Sequence, residues 1–245
     1  MTFSIIIPAY NEQDYIAKCL KSVAVLQIPV GTSLEVMVVN NASTDKTAEV
    51  ARATFPAAKI IDEPQKGLTR AYNRGAREAQ GKILVFIDAD MILPSNHLKR
   101  IYEEFKKDPK LVALSGPCFY WDGGKFYEAV LLLTYLFLAI PAEIIFNRWL
   151  NFGASIVTGN SAVKKEVFDK VGGFNENIFY GLEPEFAIRI RKLGKVRFRF
   201  RLSAKSSARR FKKEGLFRVL FCYVMDNIWT HLLKRPFPRD YTDIR

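Results

Sequence analysis

Three short apolar runs rich in β-branched residues constrain the fold of this chain most: "SIIIP" at 4–8, "LEVMVV" at 34–39 and "ILVFI" at 83–87. None leaves a polar face, which is the pattern of strands buried on both sides of a parallel sheet. The sequence between the runs has helical periodicity. In "NEQDYIAKCLKSV", Asn11 is placed to cap a helix in which Ile16, Leu20 and Val23 recur at helical spacing. A second helix is expected after Ser43 in "STDKTAEVARA", then a short strand in "AKIID", then a third helix in "TRAYNRGAREAQ" with Gly81 as its stop. The expected order is β-α-β-α-β-α-β. It implies a doubly wound, mostly parallel α/β sheet, in which ligands bind beyond the carboxyl ends of the strands.

At such an end stands "DAD", with Asp88 and Asp90 one residue apart. Carboxylates at i and i+2 of extended chain point to the same side, and in a water-poor place their repulsion needs a countercharge. Mg²⁺ or Mn²⁺ supplies one and completes its shell with substrate phosphates, which makes a nucleoside diphosphate the expected ligand. An acidic turn after a strand is an equally ordinary reading of these three residues alone. Neither GxGxxG nor GxxxxGK[ST] occurs, which excludes the common dinucleotide and phosphate-loop sites. Instead "PAYNE" and "NNASTD" follow the first two strands, where polar side chains and exposed N–H groups serve either as helix caps or as a nucleoside site.

At 245 residues and 49% hydrophobic content the chain can bury a sizeable core. Cys19, Cys118 and Cys222 are far apart and odd in number, so neither a zinc site nor a disulfide framework is indicated, and a reducing compartment fits. The start "MTFSIIIPAYNE" is wrongly flanked for a signal peptide, and a cytoplasmic location is expected. Charge is segregated. Residues 1–188 hold 20 basic and 21 acidic side chains, residues 189–245 hold 17 and 4, and between Arg189 and Lys213 there are 12 bases and no acid. Such a tract is either a solvated face or a surface that meets phosphates.

Taken together, "SIIIPAYNE" (4–12), "VVNNASTDKTAEVA" (38–51), "KGLTRAYNRGA" (66–76), "DADMILP" (88–94), "GNSAVKKEVFDKVGGFNE" (159–176) and "GLEPEFAIRIRKLGKV" (181–196) resemble the family 2 glycosyltransferases of the GT-A fold. That family moves a sugar from a nucleotide donor with inversion at the anomeric carbon. The resemblance implies that Ala9, Tyr10 and Glu12 line the base site, that Asn40 and Asn41 contact base or ribose, and that Arg70 lies near the donor phosphates. It implies Asp88 on ribose or metal and Asp90 on metal; Pro8, Asp45, Lys66, Gly67 and Ala89 fall in the same blocks and are counted with the donor site. Two departures stand out. Asn40 replaces a common Asp, exchanging a charged acceptor for an amide. Where the family often reads Glu-Asp-x-Asp/Glu, this chain has Leu182, Glu183, Pro184 and Glu185, which puts Glu183 at the position of the catalytic base, with Glu185 as the other candidate. The alternative is that Glu183 is only a first-turn acid of a helix running through Leu193, with Pro184 at its first position.

"VRFRFRL" alternates as a strand would, with Phe198, Phe200 and Leu202 on a core face and Arg197, Arg199 and Arg201 on the other. Next, "SSARRF" at 206–211 resembles the basic-aromatic motif with which some relatives hold the donor diphosphate, and names Arg209 and Arg210 for it. Two apolar stretches remain, "AVLLLTYLFLAIPA" at 129–142 and "GLFRVLFCYVMDNIWTHLL" at 215–233. Both suit core helices or, with basic flanks, helices lying in a lipid headgroup region. The domain reading is a catalytic unit at 1–212, with a donor half at 1–120 and an acceptor half at 121–212, followed by a membrane-surface helix and tail at 213–245. The expected function is sugar transfer, at the cytoplasmic face of a membrane, to a lipid-linked or glycolipid acceptor. The alternatives are a soluble transferase with a free glycan or protein acceptor, and a non-catalytic binder of nucleotide or anionic surface. Nucleic acid is not an expected partner, since no recognised binding module accompanies the basic tract.

Overall fold

A computed structural model describes residues 1–139, 156–178 and 181–233. The donor half alternates as expected: β1 (Thr2–Ala9), α1 (Ile16–Ala24), β2 (Ser33–Asn41), α2 (Thr47–Thr54), β3 (Lys59–Glu63), α3 (Leu68–Glu78) and β4 (Ile83–Ile87). Then come α4 (His97–Lys107), β5 (Leu111–Ser115), β6 (Cys118–Tyr120) and α5 (Gly124–Thr134), which runs into a π-helical turn over Tyr135–Ala139. After the undescribed segment 140–155 follow β7 (Asn160–Lys164), α6 (Lys165–Lys170), α7 (Leu182–Ile190), β8 (Lys195–Phe198), β9 (Ala204–Ser206), α8 (Arg209–Glu214) and α9 (Leu216–Leu233).

The main sheet has the order β3-β2-β1-β4-β7-β5-β8. From β3 to β4 all pairs are parallel, while β7 lies antiparallel between β4 and β5. Period-2 alternation sends each strand's side chains into two cores. Phe3, Ile5 and Ile7 with Ile83, Val85 and Ile87 pack on one face with Ile16 and Leu20 of α1. Ile6, Met37, Val39, Leu84 and Phe86 pack on the other with Tyr72 of α3 and Phe186 of α7. Because β7 is antiparallel, its amino end lies at the carboxyl end of β4, with Asn160 opposite Ile87. A segment from far along the chain thereby reaches the Asp88 edge.

Four local expectations need correction. Asn11 does not cap α1, which starts at Ile16; it takes φ 51°, and its Oδ1 accepts the Thr44 N–H at 2.9 Å. Gly81 is not the stop of α3, which ends at Glu78. A Cβ on Gly81 would collide with Ser4, to whose Oγ the Gly81 N–H donates at 2.7 Å, so the glycine is there for close approach. The strand at "VRFRFRL" ends at Phe198, because its partner β5 ends at Ser115 opposite it. The chain then winds into a 3₁₀ turn over Phe200–Leu202, which buries Leu202 but leaves Phe200 39% exposed. Finally, α7 ends at Ile190 rather than Leu193, and Pro184 is its third residue, still within the first turn where its missing N–H costs nothing.

The basic tract is not a bare cationic face. At least seven of its twelve bases meet acids among the described residues: Arg189 with Glu185, Lys195 with Asp108, Arg199 with Glu104, Arg201 with Glu103 and Glu104, Arg209 with Glu12 and Asp90, Arg210 with Glu214, and Lys212 with Asp122. Five of these seven bases meet acids from residues 1–188 other than Glu185. The tract is therefore largely an internal fastening between the two halves of the sequence.

Candidate active site

The carboxyl ends of β1, β2, β3 and β4 lie side by side, and polar side chains tie their loops together. The Asn11 N–H donates to Ser43 Oγ at 3.1 Å, the Glu12 N–H to Thr47 Oγ1 at 2.7 Å, and the Gln13 N–H to Asp45 Oδ2 at 3.2 Å. Asp45 Oδ1 also accepts the Thr47 N–H at 2.9 Å, so it secures the start of α2. Asn41 holds the next loop: its Oδ1 accepts the Gly67 N–H at 2.8 Å and its Nδ2 donates to the Gln65 carbonyl at 2.7 Å. That loop sets Lys66 Nζ 3.9 Å above the Tyr10 ring. Arg70, on α3, donates to Gln65 Oε1 at 2.6 Å and pairs with Glu176 at 3.1 Å. Pro8 and Ala9 are the last residues of β1, with Ala9 buried opposite Asn40.

Asp88, Ala89 and Asp90 follow β4 directly. Tyr72 donates its hydroxyl to Asp88 Oδ1 at 2.7 Å, and the bare Cα of Gly159 lies against Asp88 Oδ2, where a Cβ would not fit. Asp90 Oδ1 accepts the Ser206 hydroxyl at 3.1 Å, and Oδ2 lies 3.3 Å from Arg209 Nη2. Arg209 also makes a two-pronged bond to Glu12, at 2.8 and 2.5 Å, with its guanidinium 4.5 Å over the Tyr15 ring. Glu12 is fully buried. Burial opposes the arginine's charge, but the Glu12 bond and the Asp90 charge outweigh it and hold the guanidinium above its ordinary pKa. Thus the buried acid in the loop after β1 and the second acid of "DAD" share one cation, delivered by α8. Arg210 bonds within α8 and to α9, with Nε donating to Glu214 at 3.2 Å and Nη1 to the Tyr223 hydroxyl at 3.3 Å.

The two acids of α7 differ. Glu185 is locked to Arg189 by two bonds, at 2.6 and 2.8 Å, and that arginine also donates to the Val171 and Gly173 carbonyls. Glu183 has a neutral partner, the Thr158 hydroxyl at 2.7 Å. Burial raises its pKa; the Thr158 bond and the more distant Arg210 charge pull it down, and the Asp88 charge adds to the rise. Thr158 and Gly159 are adjacent, so one short turn touches Glu183 with one residue and Asp88 with the next.

Sequence reasoning did not find Tyr72, Thr158, Ser206, Asp62 or the Glu12–Arg209 bond. Asp62, at the end of β3, accepts from Asn40 Nδ2 at 2.9 Å. Asp122 is another: it accepts from the Ser207 hydroxyl at 2.8 Å and the Ala208 N–H at 2.5 Å, placing α8. Tyr72 lay inside the quoted block "KGLTRAYNRGA", and Thr158 one residue before "GNSAV", so proximity to a motif was the available signal.

For a divalent cation the donors are hard carboxylate oxygens, which suits Mg²⁺ or Mn²⁺. Among the described residues no group of three or more His, Cys, Asp or Glu is arranged to hold a metal.

The fold matches solved glycosyltransferases. Mannosyltransferase PcManGT from Pyrobaculum calidifontis, in complex with GDP-Man and Mn²⁺, aligns at a TM-score of 0.70 and 24% identity, covering 95% of this chain and 63% of that one. S. aureus TarS 1-349 in complex with UDP aligns at a TM-score of 0.64 and 17% identity, covering 97% and 67%. In sequence, the probable glycosyltransferase YdaM of Bacillus subtilis is 28% identical over 206 residues, 78% of this chain and 47% of that protein. The poly-beta-1,6-N-acetyl-D-glucosamine synthase of Staphylococcus epidermidis is 31% identical over 116 residues, 46% of this chain and 27% of its own. The chain thus spans less than half the length of either relative. The family model described as "Glycosyl transferase family 2" matches residues 4–172, and with the GT-A sheet and the strand-end acids in place, the chain belongs to the family 2 glycosyltransferases.

Proposed function

We propose that this chain is a metal-dependent, inverting glycosyltransferase that moves a sugar from a nucleoside diphosphate to a lipid-linked acceptor at a membrane surface. The observation that carries this is the Thr158–Gly159 turn, which touches Glu183, a carboxylate of raised pKa, with one residue and the strand-end acid Asp88 with the next. In this reading Glu183 takes the proton of the acceptor hydroxyl as its oxygen attacks the anomeric carbon. The bond from that carbon to the diphosphate breaks on the opposite side, and the nucleoside diphosphate leaves. Asp88 and Asp90 would hold the divalent cation, which offsets charge on the departing diphosphate. Arg209 adds charge-assisted donors to the same group, where they strengthen as the leaving oxygen gains charge. Glu185 positions the helix through Arg189. The neighbours' ligands, GDP-Man with Mn²⁺ and UDP, support a nucleotide-sugar donor here.

The acceptor side rests on the surface of α5 and α9. These helices share a small core of Tyr120, Leu131, Phe211, Leu216 and Val219. Outside it stand Phe126, 63% exposed, Phe137, 70%, Phe217, 73%, and Phe221, 59%, with Lys213 near the end of α8 and Arg218 in the first turn of α9. Apolar side chains with basic flanks suit the headgroup region of an anionic bilayer. No helix among the described residues is long and apolar enough to cross a membrane. In this reading residues 1–212 are the catalytic unit and 213–245 its membrane-surface part; part of the latter, 234–245, lies outside the described residues.

The test is hydrolysis of UDP-, GDP- and dTDP-sugars by the purified protein, with and without Mn²⁺ or Mg²⁺, beside Asp90→Ala. Metal-dependent release of one nucleoside diphosphate, reduced about a hundredfold or more in the variant, is expected. No turnover with any donor, even after lipid phosphate acceptors are added, together with no metal-dependent nucleotide binding, overturns the enzyme reading. Co-sedimentation with anionic but not neutral vesicles, weakening with salt, is expected of the membrane surface; equal recovery without vesicles removes it.

A further inference from the structure

Arg209 stands between two acids and holds them unequally. To Glu12, which is fully buried, it donates from both Nη1 and Nη2, at 2.8 and 2.5 Å. Its contact with Asp90 is longer, with Nη2 3.3 Å from Oδ2. The guanidinium lies 4.5 Å over the Tyr15 ring, and Asp122, which accepts the Ser207 hydroxyl and the Ala208 N–H, fixes the start of α8, whose first residue is Arg209. Two parallel bonds to one carboxylate are the stronger attachment. The Asp90 contact is therefore the one that can be given up while Glu12 keeps Arg209 at the site.

Asp90 has its charge answered from within the chain. Oδ2 faces the guanidinium and Oδ1 accepts the Ser206 hydroxyl at 3.1 Å, on a side chain only 10% exposed. A carboxylate that ligates Mg²⁺ or Mn²⁺ turns a lone pair on the ion. With a guanidinium on the same carboxylate, the two cations repel each other where little water screens them. Arg209 and a divalent cation are then rivals for Asp90. A nucleoside diphosphate sides with the metal, because its oxygens bind the ion and also offer the guanidinium an anion in place of the one it gives up.

We infer that Arg209 is an inhibitory contact built into the cation site: it keeps divalent metal off Asp90 until a diphosphate draws the guanidinium away, so that metal and donor are taken up together. This inference rests on the metal-dependent reading above and deepens it.

Mn²⁺ binding to the full chain without nucleotide, read from the loss of the free ion's electron paramagnetic resonance signal, tests it in the wild type, in Arg209→Met and in the double variant Glu12→Gln with Arg209→Met. The double variant removes a positive and a negative charge together, so it leaves the net charge of the site unchanged and strands no buried acid. Both variants should bind Mn²⁺ about tenfold tighter than the wild type, or more, and saturating UDP or GDP should tighten Mn²⁺ by a similar factor in the wild type but by less in either variant. Mn²⁺ binding in the double variant no tighter than in the wild type overturns the inference, whatever the single variant does, since a gain confined to Arg209→Met is the general effect of removing a positive charge. Wild-type Mn²⁺ affinity that is the same with and without UDP or GDP overturns it too, and needs no variant. No Mn²⁺ binding by any of the three proteins, with or without UDP or GDP, overturns the metal-dependent reading and the inference with it.

Discussion

The segments just past β1 and β4 and the first turn of α7 all carry carboxylates of the candidate site, but they hold them differently. At the strand ends Glu12 and Asp90 share the Arg209 guanidinium, and Asp88 is braced by Tyr72. On α7, Glu183 has a hydroxyl for a partner, half-buried, and its pKa is raised. The first arrangement suits groups that receive a cation, the second a group that receives a proton. In the proposed mechanism the acids of one site divide their work by the company the fold gives them.

The largest effect that sharpens this contrast is expected at Glu183. Glu183→Gln keeps the shape and an acceptor for Thr158 but removes the proposed base, and kcat should fall about 10²- to 10⁴-fold with little change in KM for the donor. The wild-type rate should decline on acidification at a higher pH than an ordinary glutamate dictates, because the base is lost as it protonates through its raised pKa. Stability moves the other way. A raised folded pKa means the folded state binds the proton more tightly, so ionised Glu183 costs stability once pH rises past the ordinary carboxylate range. Glu183→Gln should therefore melt higher than wild type at neutral pH and gain nothing in acid. A variant with full activity, or one that melts lower at neutral pH, breaks the contrast.

Arg209→Ala comes next, because it leaves Glu12 buried without its cation. Loss of one partner of a buried pair costs about 3–5 kcal/mol, which for a chain of this size lowers the melting point by roughly 10 °C. Adding Glu12→Gln to Arg209→Ala should recover a good part of that loss, since it removes the stranded charge. Denaturant titration of the wild type, both single variants and the double variant measures this coupling. Additive losses in that cycle would mean that the strand-end acids are not held by a shared cation.

The half of the molecule built from β1 to β4 was legible in the sequence because buried parallel strands are uniformly apolar and their ends are marked by turn residues. The order of elements followed from that pattern, as did the place of Asp88 and Asp90 just past the end of β4, whereas Ala9 and Asn40 were named only through the family resemblance. Partnership across the chain was not legible. Glu12 and Arg209 are 197 residues apart, and no local period encodes their meeting; nor does one place β7, antiparallel, beside β4. The basic tract misled for the same reason, since Glu103 and Glu104, which neutralise Arg199 and Arg201, lie on α4, far from it in sequence. One clue was available: Arg189 stands four residues after Glu185, the spacing at which helical ion pairs form.

That spacing carries the smallest of the expected effects and separates the two acids of α7. Arg189 keeps its bonds to the Val171 and Gly173 carbonyls, each 2.8 Å, when Glu185 is neutralised. The pair is also partly open to solvent, so screening limits its worth to about 1 kcal/mol. Glu185→Gln should therefore lower the melting point by only a few degrees and change kcat less than about threefold, with the acid side of the pH profile unmoved. A hundredfold loss of kcat with unchanged stability would exchange the roles. Glu185 would then be the base despite its arginine, and Glu183 the acid that merely starts the helix.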